Sequence, residues 1–245
     1  MKSFSCVLPV LLCSAGTTIN AFAPHGVNKP TAPTPSRLQA KRDATFGMGC
    51  FWKPSEEMLK IDGVSEAAAG YTGNPNAKEV PDYDKVCFSR DWVEGVRVVY
   101  DDDKVSYEQL LDAFFEAQEP KLGSRQYASI IFPHDEEQQK IATEWLQEGA
   151  DKVRESDGVP LSITQVEPLS PFYRAEGYHQ NYWQKFRPRV AVVVGLIALQ
   201  IAHFDVSPDI ASGIDTFADW GLKAVALSVI LERLLDRNVV ELKSE

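Results

Sequence analysis

Cations are scarce in this chain of 245 residues. Lys and Arg number 25 against 35 Asp and Glu, a net charge of −10. Nucleic-acid binding is disfavoured, because phosphate contacts need clustered cations. Cysteine is scarcer still: Cys6, Cys13, Cys50 and Cys87 are the full set. The first two sit in a leader-like stretch, and the two that remain cannot build a disulfide scaffold or a Cys-rich zinc site. His25, His134, His179 and His203 show no ligand spacing, so no metal centre is expected. Neither G-x-G-x-x-G nor G-x-x-x-x-G-K occurs, which argues against nucleotide chemistry. No apolar run approaches the roughly 20 residues of a spanning helix. What is present is ordinary for a globular chain: 44% hydrophobic and 24% charged residues, enough for a core without staples.

The two ends differ from the middle. Lys2 precedes an apolar run, Val7 to Leu12, and Ala21-Phe22-Ala23-Pro24 follows small polar residues. Residues 25–44 are basic and rich in Ser, Thr and Pro, with no acid before Asp43. A secretory signal followed by a transit-like tract resembles the bipartite plastid leaders of algae with secondary plastids. Residues 1–42 are therefore expected to be a targeting leader for the plastid, with the secretory pathway as the alternative. At the other end, Val190 to Ala202 and Ala224 to Leu231 are apolar, separated by Ser207-Pro208-Asp209. Residues 190–245 read as a helical extension that packs on the domain, on a partner or on a membrane surface. Its expected job is placement, separable from catalysis.

The middle, residues 43–189, alternates strand-like and helix-like stretches. Strands are expected at 44–48, 64–71, 93–100, 127–133 and 161–169, and helices at 51–60, 107–118 and 135–155. Val93 to Tyr100 alternates like a half-buried strand. Ser106 is a good N-cap for the helix carrying Leu110, Leu111, Phe114 and Phe115 on one face. Helices alternating with strands imply a sheet with helices packed on it.

Cys50 carries the chemistry. It stands between a strand and a helix in Gly47-Met48-Gly49-Cys50-Phe51-Trp52. A cysteine at a helix start sees unpaired N–H groups and the positive dipole end, both of which favour the nucleophilic thiolate. Lys53 adds a nearby cation. An inert, buried small hydrophobe is the competing reading.

Four ordered blocks resemble one family. Gly49-Cys50-Phe51-Trp52 resembles the G-C-F-W signature of A-type peptide methionine sulfoxide reductases, and Gly70-Tyr71-Thr72-Gly73 their G-Y-T-G turn. Tyr83 to Cys87 followed by Glu94 resembles their Tyr…Cys…Glu block, and Ala175 to Gln180 their A-E-x-Y-H-Q motif. The resemblance covers roughly residues 43–187. It implies an α+β fold: a two-layer α/β sandwich with a mixed sheet, ferredoxin-like, with the nucleophile at a helix start. It implies reduction of the S epimer of methionine sulfoxide, free or in proteins, without a bound cofactor. Cys50 would attack sulfur and Glu94 would protonate the oxygen, while the hydroxyls of Tyr83 and Tyr127 bind it. Phe51 and Trp52 would wall the S-methyl group. Glu94 must be neutral near pH 7 for this, which needs an apolar setting.

Departures are visible. No cysteine follows Cys87, whereas the family's usual resolving cysteines lie near the C-terminus. Either Cys87 resolves the sulfenic acid or an external thiol does; the external route is favoured, with thioredoxin, glutaredoxin or glutathione as reductant. The family Asp before the second Tyr is missing, and Arg125 is the candidate to supply polarity there. Two rival functions keep the same thiol: a non-catalytic binder of oxidised methionine, and a thiol peroxidase.

Overall fold

The structure is a computed structural model, and it describes residues 41–202 and 206–243. The expected leader lies outside the described residues, except that Lys41 and Arg42 open the first strand. That strand, β1 (Lys41–Met48), places Ala44, Phe46 and Met48 on one face, each fully buried, as a period of two requires. It pairs antiparallel with β3 (Val93–Asp101) and β4 (Ser129–Phe132). Outside β3 come β2 (Val64–Thr72), β6 (Phe172–Arg174) and β7 (Val240–Leu242). Beyond β4 lies β5 (Gln165–Val166), among the described residues the one parallel partner, so the sheet, seven-stranded over these residues, is mixed as expected.

Helix α1 (Trp52–Leu59) and helix α3 (Tyr107–Ala117) join the sheet in one core, to which Leu110, Leu111, Phe114 and Phe115 contribute. A capping box between Ser106 and Gln109 starts α3, satisfying two end groups at once. A short helix, α2 (Tyr83–Phe88), was not foreseen; the Asp82 carboxylate caps it through the Lys85 N–H.

Three expectations from pattern are corrected. Strand β3 is buried along both faces rather than half-buried, with only Val99 partly exposed. It is the central strand, and on its outer face Arg97 is covered by Asp43 at 2.6 Å and the Lys243 carbonyl at 3.0 Å. Helix α4 (Glu136–Glu148) ends at Glu148, seven residues before the expected Glu155, with Gly149 at its C-cap. The chain then turns because Arg154, 5% exposed, donates to the carbonyls of Phe115 and Gln118. Residues 161–169 form a 3-10 turn, Leu161–Ile163, and the two-residue β5 instead of one long strand.

The extension begins inside a helix. Helix α5 (Tyr182–Ala202) runs through the 189/190 boundary, and α6 (Pro208–Leu235) packs back along it. Strand β7 then adds an edge to the sheet beside β6. Among the described residues, no helix is long and apolar enough to cross a membrane.

Candidate active site

The β1–α1 junction presents the thiol. Gly49 has φ +74°, and a Cβ there would stand 1.9 Å from the Glu119 carbonyl oxygen. Only glycine permits this close crossing, which the Glu119 N–H seals by donating to the Met48 carbonyl at 2.7 Å. Cys50 follows at once, half-buried, just ahead of α1.

The electrostatics of Cys50 correct the sequence expectation. Burial raises the thiol pKa and outweighs the hydrogen bond from the Trp52 backbone; the charges of Glu94 and Glu119 push the same way. Lys53 does not assist. Its ammonium pairs with Glu119 at 3.1 Å on the exposed surface. Cys50 therefore rests as a thiol.

Glu94, on β3, is 2% exposed. Burial lifts its pKa to about 7, against the opposing hydrogen bonds from Gln126 and the Phe51 backbone. Gln126 Nε2 donates to Oε1 at 2.7 Å and the Phe51 N–H to Oε2 at 3.3 Å. The carboxyl is thus beside the chain segment that carries Cys50, and it can hold or give a proton near neutrality.

Aromatic rings line the same place. Phe51 is buried against Tyr71 and His179. The Trp52 indole N–H donates to His179 Nδ1 at 2.9 Å, and its ring stacks on Tyr182 at 3.9 Å and 5°. Burial lowers His179 to about 4, so the imidazole is neutral; with Nδ1 accepting, the proton belongs on Nε2. The Tyr83 ring lies 5.0 Å from His179. Burial raises Tyr83 well above the ordinary phenol range and Tyr127 to about 12, so both hydroxyls stay protonated donors. Gln126 Nε2 also reaches the Tyr127 hydroxyl at 3.2 Å and Cys87 Sγ at 3.6 Å. The exposed Cys87 thus stands at the rim.

All seven residues singled out from the sequence converge on this region, whereas Arg125 does not. Its guanidinium is held by Glu167 and by the Gly73 carbonyl at 2.9 Å, a structural tie.

Pattern reading missed four contributors. Gln126 ties the acid to the rim thiol and had no signal beyond its place before Tyr127. Glu176 accepts from the Tyr71 hydroxyl at 2.7 Å and from the Tyr83 N–H at 3.2 Å, anchoring the start of α2. His179 orients Trp52. Both lie in the A-E-x-Y-H-Q block, which flagged their presence and not their work. Glu232, from α6, binds Lys185 and Arg189 at 2.6 Å each. Lys185 in turn donates to the Gly177 carbonyl at 2.8 Å, and the Gly177 N–H donates to the Asp236 carbonyl. The end of α6 thereby clamps the segment bearing His179 and Tyr182. This geometry runs against the expectation that the extension is separable from catalysis.

Residues 42–201 match the family described as peptide methionine sulfoxide reductase. The chain is 39% identical over 153 residues to the peptide methionine sulfoxide reductase MsrA of Methanosarcina acetivorans, covering 58% of this chain and 77% of that protein. It is 36% identical over 169 residues to the MsrA of Methanothermobacter thermautotrophicus, covering 66% and 97%. In structure it is similar to methionine sulfoxide reductase A of Corynebacterium diphtheriae, with a TM-score of 0.53 and 27% identity over 62% of this chain and 77% of that one.

Proposed function

The chain belongs to the peptide methionine sulfoxide reductase family, an oxidoreductase family acting on methionine S-sulfoxide, and from this premise we propose how its residues divide the work. The observation that carries the assignment is the pairing of a half-buried Cys50 with a Glu94 carboxyl lifted to about 7.

The sulfoxide oxygen bears partial negative charge and the sulfur partial positive charge. Cys50 attacks the sulfur as thiolate. Charge builds on the oxygen, which Glu94 protonates while the Tyr83 and Tyr127 hydroxyls donate hydrogen bonds to it. Phe51 and Trp52 enclose the S-methyl group, where sulfur–aromatic contact favours the substrate. The oxygen passes to Cys50: thiol plus sulfoxide become sulfenic acid plus methionine. Because Cys50 rests as a thiol, it loses its proton only as the substrate draws on the thiol and carboxyl together. The pair needs one proton between its two members.

Against the external route favoured from the sequence, the placement of Cys87 beside Gln126, which also holds Glu94, supports an internal second step. Cys87–SH and Cys50–SOH condense to a disulfide and water, which an external dithiol of thioredoxin type then reduces, with glutaredoxin or glutathione as further donors. The enzyme itself carries no bound cofactor in this scheme. On its N-terminal sequence alone, the protein acts in the plastid.

An assay with the separate S and R epimers, a dithiol reductant and hydrogen peroxide tests the reading. Consumption of the S epimer supports it. Inertness toward both epimers would leave a binder, and turnover of peroxide alone would make it a peroxidase.

A further inference from the structure

A cavity lies beside the candidate active site, with Trp52 in its wall. It has a volume of about 280 Å³ and lies between α5, α6 and the indole of Trp52. Tyr182, Phe186, Val193, Val225 and Val229 are among its apolar lining residues. Ligand pockets begin at about 300 Å³, so the space suits a side chain rather than a cofactor. Two of these residues, Val225 and Val229, come from beyond residue 201, where the family match ends. The extension therefore builds a feature that the matched region alone does not supply.

We propose that this cavity is a subsite for an apolar side chain that flanks the oxidised methionine in a protein substrate. The proposal rests on the function above, in which Trp52 walls the S-methyl group. Trp52 borders this cavity and, in that reading, the S-methyl group, so a chain placing its sulfoxide at Cys50 carries a neighbouring residue toward the cavity. The apolar lining gains by excluding water from a Leu, Ile or Phe side chain. Lys185, Arg189, Arg233 and Glu232 also border the cavity. Three cations against one carboxylate, in a chain of net charge −10, favour a substrate segment bearing acids over one bearing bases. The subsite makes the enzyme select apolar, oxidised segments of proteins over the free amino acid.

Two peptides test this. Both carry one methionine S-sulfoxide, with leucine at the flanking positions in one and serine in the other; free methionine S-sulfoxide is the reference. With the full chain, kcat/KM for the leucine peptide should exceed that for the serine peptide by roughly tenfold or more, the worth of partly burying a leucine. In Val229→Trp, which fills the cavity from α6, the leucine-peptide advantage should collapse toward one. Equal rates on the two peptides with the unaltered protein would overturn the subsite, and so would a Val229→Trp protein that keeps the full advantage. Loss of turnover on all three substrates with the unaltered protein would overturn the reductase reading itself, and the subsite with it.

Discussion

Gln126 Nε2 donates to Glu94 Oε1 at 2.7 Å while standing 3.6 Å from Cys87 Sγ. One side-chain amide thus joins the proton donor to the second thiol. It also acts on the state of the acid: burial raises the carboxyl to about 7 against this hydrogen bond, the one from the Phe51 backbone and the charge of Lys121.

Glu94→Gln removes the acidic proton and keeps the shape. The rate on the S-sulfoxide should fall by about 10²–10⁴. The pH profile should change as well. With Glu94 near 7 and Cys50 raised, the singly protonated pair forms as pH climbs through about 7, and the rate should rise to a plateau there. The variant should lose that inflection and follow only the cysteine at higher pH. A wild-type-like profile in the variant would remove Glu94 from the mechanism.

The same group costs stability. Its folded pKa lies above its unfolded value of 4.5, so the folded state holds the proton more tightly. Stability is full below about 4.5 and declines as pH rises toward 7. Urea unfolding at pH 8 should show Glu94→Gln more stable than the parent, by up to about 3 kcal/mol, with the gap closing near pH 4. An equal gap at both pH values would mean that the carboxyl is not the cause.

The two thiols separate by counting. One equivalent of sulfoxide without reductant should consume two thiols in the parent and one in Cys87→Ser, which should still release methionine in that single turnover. Cys50→Ser should release none. Two thiols lost in Cys87→Ser would assign resolution elsewhere.

The clamp from α6 should matter to binding. Glu232→Ala leaves Lys185 and Arg189 without their shared carboxylate and frees the segment behind Trp52. KM for the sulfoxide should rise roughly tenfold with kcat changed far less, since the reacting groups stay in place, and Glu232→Asp should recover part of the loss. A fall in kcat alone would contradict a positioning role.

Residues 1–45 fused to a fluorescent reporter should deliver it to the plastid in an alga with secondary plastids. A secreted or cytosolic reporter would contradict the leader reading.

Much of the fold was legible because local rules act locally. The period of two in β1, the capping box at Ser106 and the stripe of Leu110, Leu111, Phe114 and Phe115 are properties of neighbouring residues. Where the pattern failed, distant partners had intervened. Arg154 is pulled under α3 by carbonyls 36 and 39 residues away, so α4 ends early. The length of β5 is set by its pairing with β4.

The sequence by itself determined the chemical cast: a cysteine in a glycine turn, a glutamate on an apolar strand, two tyrosines and an aromatic pair, in four ordered blocks. Tertiary structure alone decided how they behave. Burial made Cys50 a resting thiol where helix position and Lys53 promised a thiolate, and it gave Glu94 a neutral form near pH 7. Folding took Arg125 out of the site and brought Gln126, His179 and Glu232 into it. Desolvation and hydrogen bonding depend on which surfaces meet across the fold, and no spacing along the chain encodes that meeting.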